Sequence, residues 1–327
     1  MRPAIAPPEP LLEPRLVSII GAGPFARAIA RIAARSGATL RVFSRSIADR
    51  PELAQGLEGA ELTSDLAYAV KQASVIVFAV PAGELDDIAT RLGPHVLPDQ
   101  IALLASRGIT EGFVLPHQHV RRETCLRKLG VLGGPLNIGE LEAGRRLNVV
   151  VATRFDEVLA ATRTLTESVR VSFAPSRDLV GVSIAGAVAN VAGIAAGLAE
   201  ALGMGGTARG VLVARGIFEA RILAVEEGAD PGTFAGLAGL GELIPRDVRS
   251  MERHEELGRA LAERSLEAAL EQATGHVEGV TTTFVAAERG RARGLSLPLI
   301  EGLVAIMRGE VSPRDELDAI LAEPLNP

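Results

Sequence analysis

Cysteine is almost missing from this sequence. Among the 327 residues Cys125 is the only one, which excludes an internal disulfide and a metal site built from thiolates. A lone thiol is typical of proteins in a reducing compartment such as the cytoplasm. Hydrophobic residues make up 47% of the chain and charged residues 23%. This is the composition of an ordinary globular protein, and the length is sufficient for two domains.

An excess of basic residues is missing as well. The chain has 34 Lys and Arg against 40 Asp and Glu, a formal net charge of -6, which argues against a nucleic-acid or anionic-membrane partner. We therefore expect a small-molecule partner. Residues 1–15 are rich in proline and lack the apolar segment of a signal peptide, so we interpret them as a flexible tail.

One apolar run is long enough to raise the question of a membrane span. Residues 179–199 carry no formal charge, but small residues dominate, and Ser183 and Asn190 lie inside the run. Helices that cross membranes favour leucine, isoleucine and phenylalanine. The closely packed centre of a helical domain is the better interpretation, and a membrane span is the alternative.

The most informative stretch is residues 16–34. A β-branched run at 17–20 predicts a strand buried on both faces, and an apolar pattern at helical spacing follows it. Between the two lies the G-x-G-x-x-A form of the dinucleotide-binding fingerprint, in which the first glycine permits a tight turn and the second lets the backbone approach a pyrophosphate. The N–H groups at the start of the helix favour the same anion. The predicted cofactor-binding residues here are Gly21, Gly23, Pro24, Phe25 and Ala26.

The choice between NAD and NADP depends on the end of the second predicted strand, 40–43. The dinucleotide fold normally has an acidic residue near this point that holds the ribose 2′-hydroxyl. This chain has Ser44, Arg45 and Ser46 instead. Arg45 favours, or at least admits, a 2′-phosphate, and a solvated arginine at a strand end is the alternative. Both cofactors stay open.

The pattern of apolar runs predicts an α/β fold. Further strands are predicted at 75–80, 101–105, 131–134 and 149–152, interleaved with helical segments such as 65–72. We therefore predict a doubly wound, Rossmann-like domain over 16–174. Only helical patterns follow, at 179–199, 208–227, 254–273, 281–293, 298–307 and 315–321. They predict an all-α C-terminal domain over 175–327.

A set of motifs in fixed order carries a family resemblance. The segments are GAGPFA at 21–26, FAVP at 78–81, SRGI at 106–109, GPLNIGE at 134–140, DLVGVSIAGAVANVAGIAAGL at 178–198, ARGIFE at 214–219, LAGLGELI at 237–244 and HVEGV at 276–280. With them, residues 17–321 resemble the NAD(P)-dependent sn-glycerol-3-phosphate dehydrogenases of the bacterial type. The resemblance implies hydride transfer between NAD(P)H and dihydroxyacetone phosphate or a related carbonyl compound. It also implies a C-terminal domain like that of 6-phosphogluconate dehydrogenase, a cytoplasmic homodimer and a role in glycerophospholipid metabolism.

The chain departs from that family where the chemistry takes place. The family's proton-donating lysine on the long helix corresponds to Ala189, whose methyl group has no proton to give. General acid help is commonly worth about 10² to 10⁴ in rate. A second lysine is matched by Arg107 and an aspartate by Glu242. We predict Arg107 and Glu242 as catalytic residues, with His254 as a substitute acid; a surface helix residue is the alternative interpretation of His254.

The resemblance also implies residues that bind ligands. For the substrate they are Gly134, Asn190 and Arg253, and for the cofactor they include Pro81, Arg107, Ile138, Arg253 and Glu278. Arg253 is the best candidate for a fork on phosphate, whereas Glu252 would repel phosphate unless Arg246, Arg249 or Arg253 neutralises it. Gly134, Asn190 and Glu278 have structural alternatives, namely a turn, a bond within the helices and a helix cap. No histidine spacing predicts a metal site.

Three hypotheses follow. The first is a working dehydrogenase that acts on dihydroxyacetone phosphate or a relative. The second is a dehydrogenase of the same chemistry whose substrate lacks the phosphate, which the altered residues would permit. The third is a protein that binds the cofactor without turnover, as a sensor or an assembly partner.

Overall fold

The structure is a computed structural model that describes residues 16–47, 49–135, 137, 139–140, 143, 145–166, 170–244, 249–273 and 275–324. The side chains of 51 and 249–252 are outside this description. The predicted tail and the predicted cofactor residue Ile138 therefore lie outside the described residues, as do Arg246 and the side chains of Arg249 and Glu252.

A single twisted sheet organises the first half of the described chain. Its strands are β1 (Leu16–Ile20), β2 (Thr39–Phe43), β3 (Glu61–Thr63), β4 (Val75–Phe78), β5 (Ile101–Leu104), β6 (Lys128–Gly133), β7 (Leu147–Thr153) and β8 (Val171–Ser176). Their order is β3-β2-β1-β4-β5-β6-β7-β8. All neighbours are parallel except β6 and β7, which are antiparallel. Because β2 and β4 flank β1, the crevice at the carboxyl end of β1 is where such sheets bind their ligands.

Helices cover the faces of this sheet. They are α1 (Pro24–Arg35), α2 (Leu66–Val70), α3 (Leu85–Leu92), α4 (Pro116–Glu123) and α5 (Asp156–Thr166). The first, α1, buries its alanine face on the sheet. The predicted α/β class with a Rossmann-like domain is confirmed, while the predicted strand at 75–80 is too long by two residues.

The rest of the described chain is helical, as predicted. Its helices are α6 (Leu179–Ala201), α7 (Gly205–Glu226), α8 (Leu240–Leu243), α9 (Arg249–Leu261), α10 (Leu266–Glu271), α11 (Glu278–Arg293), α12 (Pro298–Met307) and α13 (Pro313–Ala322). The prediction of one helix over 254–273 is wrong. The chain leaves helical geometry after Leu261 and starts again at Ser265, whose hydroxyl accepts the N–H of Ala268 as an N-cap.

Helix α6 forms the core of the helical part. Nearly all of its residues are buried, and 89% of its most apolar window lies inside the fold. This long apolar helix is therefore a core helix. Its close contact with α9 depends on glycine: a side chain at Gly197 would strike the carbonyl of Glu255, and one at Gly258 would strike the carbonyl of Ile194.

Asp178 fixes the start of this core helix. Its Oδ1 accepts the N–H of Gly181 at 2.8 Å, and its Oδ2 accepts the N–H of Asp230 at 3.0 Å and the hydroxyl of Thr233 at 2.6 Å. One carboxylate thus caps α6 and also holds the loop that leads to α8.

Candidate functional site

The fingerprint loop has the geometry that a pyrophosphate requires. Gly21 has φ +117°, and a Cβ there would strike the carbonyl oxygen of Ala79, the residue directly after β4. Gly23 is extended and has nothing within 4 Å of the place a Cβ would occupy. Helix α1 starts directly after it, with Pro24 in its first turn, no side-chain cap and no acidic residue there. The residues present therefore fit a dinucleotide, because open space and free N–H groups coincide.

Arg107 joins this loop to the helical part of the molecule. It follows β5, and its side chain is only 12% exposed. Its Nη1 donates to Oε1 of Glu242 on α8, and its Nη2 donates to the carbonyl of Gly134 at 3.1 Å. The guanidinium carbon lies 6.0 Å from the ring centroid of Phe25 in the fingerprint, within cation–π range. Three other predicted site residues, Phe25, Gly134 and Glu242, therefore lie around the guanidinium of Arg107.

Glu242 is buried in an unusual way. Its side chain is 1% exposed, and its second oxygen, Oε2, has no hydrogen-bond partner among the residues that the structure describes. Burial raises the pKa of Glu242, and the guanidinium of Arg107 opposes that rise. When both groups are ionised, the pair has no net charge, and one carboxylate oxygen is left without a donor from the described residues.

Ala189 lies in an apolar environment on the core helix. It borders a cavity of about 10 Å³, and the described residues that line this cavity are all apolar, among them Ala185, Ile217, Phe234 and Leu243. A cavity of this size holds at most one water molecule, and an apolar one stays empty. Three residues earlier on α6, a Cβ at Gly186 would lie 3.9 Å from the side chain of Arg107. Arg107 therefore contacts the helix one turn before the position of the family's lysine.

Glu278 ties the second half of the chain to the sheet. It is the first residue of α11, and its Oε1 accepts the N–H of Ala82, directly after Pro81, at 2.5 Å. Burial raises the pKa of Glu278, while His276, Arg253 and Arg107 lower it through their charges. Glu278 thus bonds across the cleft as well as starting its own helix, and the charges of Arg253 and Arg107 reach the same place.

Comparison with known proteins identifies the family. The model of the NAD-dependent glycerol-3-phosphate dehydrogenase N-terminus matches residues 16–159, and that of the C-terminus of the same family matches 178–318. The chain belongs to the NAD-dependent glycerol-3-phosphate dehydrogenase family. The resemblance predicted from the motifs is confirmed, as is the prediction of an NAD(P)-dependent oxidoreductase.

Similar proteins agree in length and fold. The chain is 30% identical over 305 residues to glycerol-3-phosphate dehydrogenase [NAD(P)+] of Saccharophagus degradans, covering 89% of this chain and 85% of that protein. It is 32% identical to the protein of that name from Caulobacter vibrioides, covering 95% and 98%. The fold is similar to a crystal structure of glycerol-3-phosphate dehydrogenase from Coxiella burnetii, with a TM-score of 0.86, 24% identity and coverage of 94% and 99%.

In this family member, His254 is not a surface residue. It is 4% exposed, and its Nε2 accepts the N–H of Gly279 at 3.1 Å. A ring nitrogen that accepts a hydrogen bond has no proton to donate. The interpretation of His254 as a surface residue is wrong, because α9 turns this side chain onto α11, and the role of substitute acid gains no support from the geometry.

The remaining predicted ligand residues are placed as follows. Asn190 is buried on α6, and its amide makes no hydrogen bond within the described part of the chain. The guanidinium of Arg253 likewise has no hydrogen bond there, and a Cβ at Gly275 would lie 3.2 Å from its Nη1. Gly134 makes a turn at φ +82°. The side chains of Asn190 and Arg253 are thus available to a ligand.

Two polar contacts at the carboxyl edge escaped the sequence analysis. Arg45 donates from Nη2 to Oε2 of Glu84 at 2.6 Å. Ser106 donates to the carbonyl of Val80 at 2.6 Å and so joins the loops after β4 and β5. A signal existed for Glu84, since it lies three residues after Pro81, where parallel strands present their ligand-binding ends.

Proposed function

We propose that this protein transfers hydride between NAD(P)H and a small carbonyl compound, namely dihydroxyacetone phosphate or a close relative. The position of Arg107 carries the proposal, because this group contacts the fingerprint through Phe25 and the helical part through Glu242. A substrate held between the two parts would present its carbonyl to Arg107. The cofactor, when bound, supplies the hydride.

The protein's own residues divide the remaining work. Arg107 is a permanent cation that stabilises negative charge developing on the carbonyl oxygen, but it hardly releases a proton, so the proton that completes the alcohol comes from solvent water. Glu242 holds that guanidinium in place through Oε1 and keeps Oε2 for a hydroxyl of the substrate. Arg253 forks onto the phosphate, and Asn190 donates to the polar end of the substrate.

A substrate without phosphate is the second candidate, and one observation favours it. In place of two lysines, an arginine and an aspartate, this site has Ala189, Arg107, Arg253 and Glu242, and thus one positive charge fewer. A phosphate dianion loses part of its attraction when a cation is removed from a poorly solvated site. The charge count therefore supports a less anionic carbonyl compound.

One experiment separates these candidates. The purified chain is first titrated with NADH and NADPH, and binding is detected by the fluorescence of the nicotinamide. Oxidation of the bound nucleotide is then measured with dihydroxyacetone phosphate and with dihydroxyacetone, which share the carbonyl and differ only in the phosphate. Turnover of the phosphate ester, lost in Arg253→Gln, supports the first candidate, and turnover of dihydroxyacetone alone supports the second. Binding without turnover on either points to a cofactor-binding protein, and no binding contradicts the proposal.

The roles of the two domains, the oligomeric state and the cellular role are also part of the proposal. We infer that residues 16–174 bind the cofactor, that 175–327 hold the substrate, and that the chain forms a homodimer in the cytoplasm with a role in glycerophospholipid metabolism. Family membership and the lone cysteine support this. Light scattering coupled to size-exclusion chromatography tests the dimer, since a monomer at micromolar concentration would contradict it.

A further inference from the structure

The ion pair between Arg45 and Glu84 crosses the end of β1. Arg45 lies two residues after β2, and Glu84 lies in the loop that follows β4. These strands flank β1 in the sheet, and adjacent strands are about 4.8 Å apart. A contact of 2.6 Å between the two side chains therefore spans the crevice above the fingerprint loop. In parallel sheets this crevice receives a dinucleotide, with the adenosine ribose toward the end of the second strand.

We propose that Glu84 and Arg45 together form the subsite for the adenosine 2′ position, and that Glu84 sets the preference between NADH and NADPH. This inference rests on the proposed cofactor site. An acidic residue is absent at the end of β2, where Ser44, Arg45 and Ser46 stand, and Glu84 brings a carboxylate to that place from the neighbouring loop. A 2′-hydroxyl needs such an acceptor, whereas a 2′-phosphate needs the guanidinium.

Both partners are accessible to a ligand. The side chain of Arg45 is 55% exposed and that of Glu84 is 39% exposed. Exposed ion pairs of this kind are weak, so either partner exchanges its bond for one to a nucleotide. With NADH, Glu84 accepts the hydrogen bond of the 2′-hydroxyl. With NADPH, the 2′-phosphate competes with Glu84 for Arg45 and is repelled by the carboxylate.

Removing the charge of Glu84 should therefore shift the preference toward NADPH. We expect Glu84→Gln to tighten NADPH binding by about three- to tenfold, since one repulsion at short range is lost and Arg45 is released. NADH should bind about two- to fivefold more weakly, because a charge-assisted hydrogen bond becomes a neutral one. Arg45→Gln should weaken NADPH by about tenfold or more and leave NADH nearly unchanged.

The measurement is binding, on the full chain. NADH and NADPH are titrated by nicotinamide fluorescence, and AMP and 2′,5′-ADP by calorimetry, because these fragments contain only the adenosine half of the cofactors. Asp87→Asn is the matched control. It removes one negative charge three residues further on, where Asp87 pairs with Arg91 at 3.2 Å on the exposed face of α3.

The outcomes separate this inference from the proposed function. A shifted preference in Glu84→Gln, absent in Asp87→Asn and repeated with the fragments, supports it. If the natural chain binds the nucleotides and Glu84→Gln leaves their affinity ratio unchanged, the inference is overturned alone. A shift with the whole cofactors but not with the fragments overturns the assignment to the adenosine subsite. If the natural chain binds neither nucleotide, the proposed function fails and the inference fails with it.

Discussion

At the scale of single residues, the pairing of Arg107 with Glu242 has a measurable consequence. Removing one partner of a buried ion pair leaves an uncompensated charge, whereas removing both does not. We expect Arg107→Met and Glu242→Met each to lower the free energy of unfolding by about 3 to 5 kcal/mol. The double variant should lose less than either single one. Urea denaturation of the three variants measures the coupling, and costs that simply add would contradict the pairing.

Ala189 offers the second test at this scale. The cavity beside it is too small for a long side chain, so overpacking in Ala189→Lys and in Ala189→Met should lower the free energy of unfolding by about 1 to 3 kcal/mol. Only the lysine adds a cation beside α8, the helix that carries Glu242, since Leu243 of α8 lines the same cavity as Ala189. If the substrate is dihydroxyacetone phosphate, turnover should rise in Ala189→Lys and not in Ala189→Met. Equal activities in the two variants would argue against an inherited substrate.

The sequence predicted the members of this cluster better than their contacts. Arg107 and Glu242 are 135 positions apart in the chain, and only the family resemblance predicted that both belong to one site. The partner of Arg45 was missed because an ion pair between two loops depends on loop conformation, which no periodicity encodes. His254 was misplaced for a related reason: charged neighbours on a helix indicate exposure on average, but not which side of the helix packs against α11.

At the scale of elements, Asp178 is the cap on which α6 and its neighbours depend. Its carboxylate accepts three hydrogen bonds from Gly181, Asp230 and Thr233. Hydrogen bonds to a charged acceptor contribute more stability than bonds between neutral groups. We therefore expect Asp178→Ala to lower the free energy of unfolding by about 2 to 4 kcal/mol. Because the same carboxylate holds the loop before α8, catalytic activity should fall as well.

Asp65→Ala is the matched control for that prediction. Asp65 caps the short helix α2 with a single bond to the N–H of Tyr68, at 3.1 Å on the surface. Its loss should cost about 1 kcal/mol. Chemical denaturation of both variants under one set of conditions gives the comparison. Similar costs for the two aspartates would show that Asp178 acts as an ordinary cap only.

Elements with strong local signals were predictable, and those with weak ones were not. Helix α12 has the predicted bounds, Pro298–Met307, because a proline at its first position coincides with an apolar run. Strand β8 lies at the edge of the sheet and contains Pro175, which an edge strand tolerates although it weakens the signal. Helix α4 has Val120 as its one aliphatic residue, so no apolar periodicity predicted a helix there. Its buried face is instead formed largely by its two histidines, His117 and His119.

At the scale of the whole molecule, two buried groups give stability opposite dependences on pH. Burial raises the pKa of Glu219 to about 7, although the N–H groups of Leu299 and Ile300 favour its charged form. The folded state then holds a proton that the unfolded state has released, so stability falls as pH rises from about 4.5 to 7. Burial lowers the pKa of His117 to about 4. Here the unfolded state binds the proton first, so stability falls as pH drops from about 6.5 to 4.

These two slopes oppose each other between about pH 4.5 and 6.5, and each is worth about 3 kcal/mol over its own range. For these two groups taken together, the free energy of unfolding should change little there. Glu219→Gln removes one slope, so the stability of that variant should rise with pH across this window, as His117 alone dictates. Urea denaturation at several pH values measures it. Glu226→Gln, which removes an exposed carboxylate from α7, the helix that carries Glu219, is the control and should keep the natural profile. If the stability of the natural chain already rises with pH as steeply as that of Glu219→Gln, Glu219 is ionised in the folded protein, as its two N–H partners alone would favour.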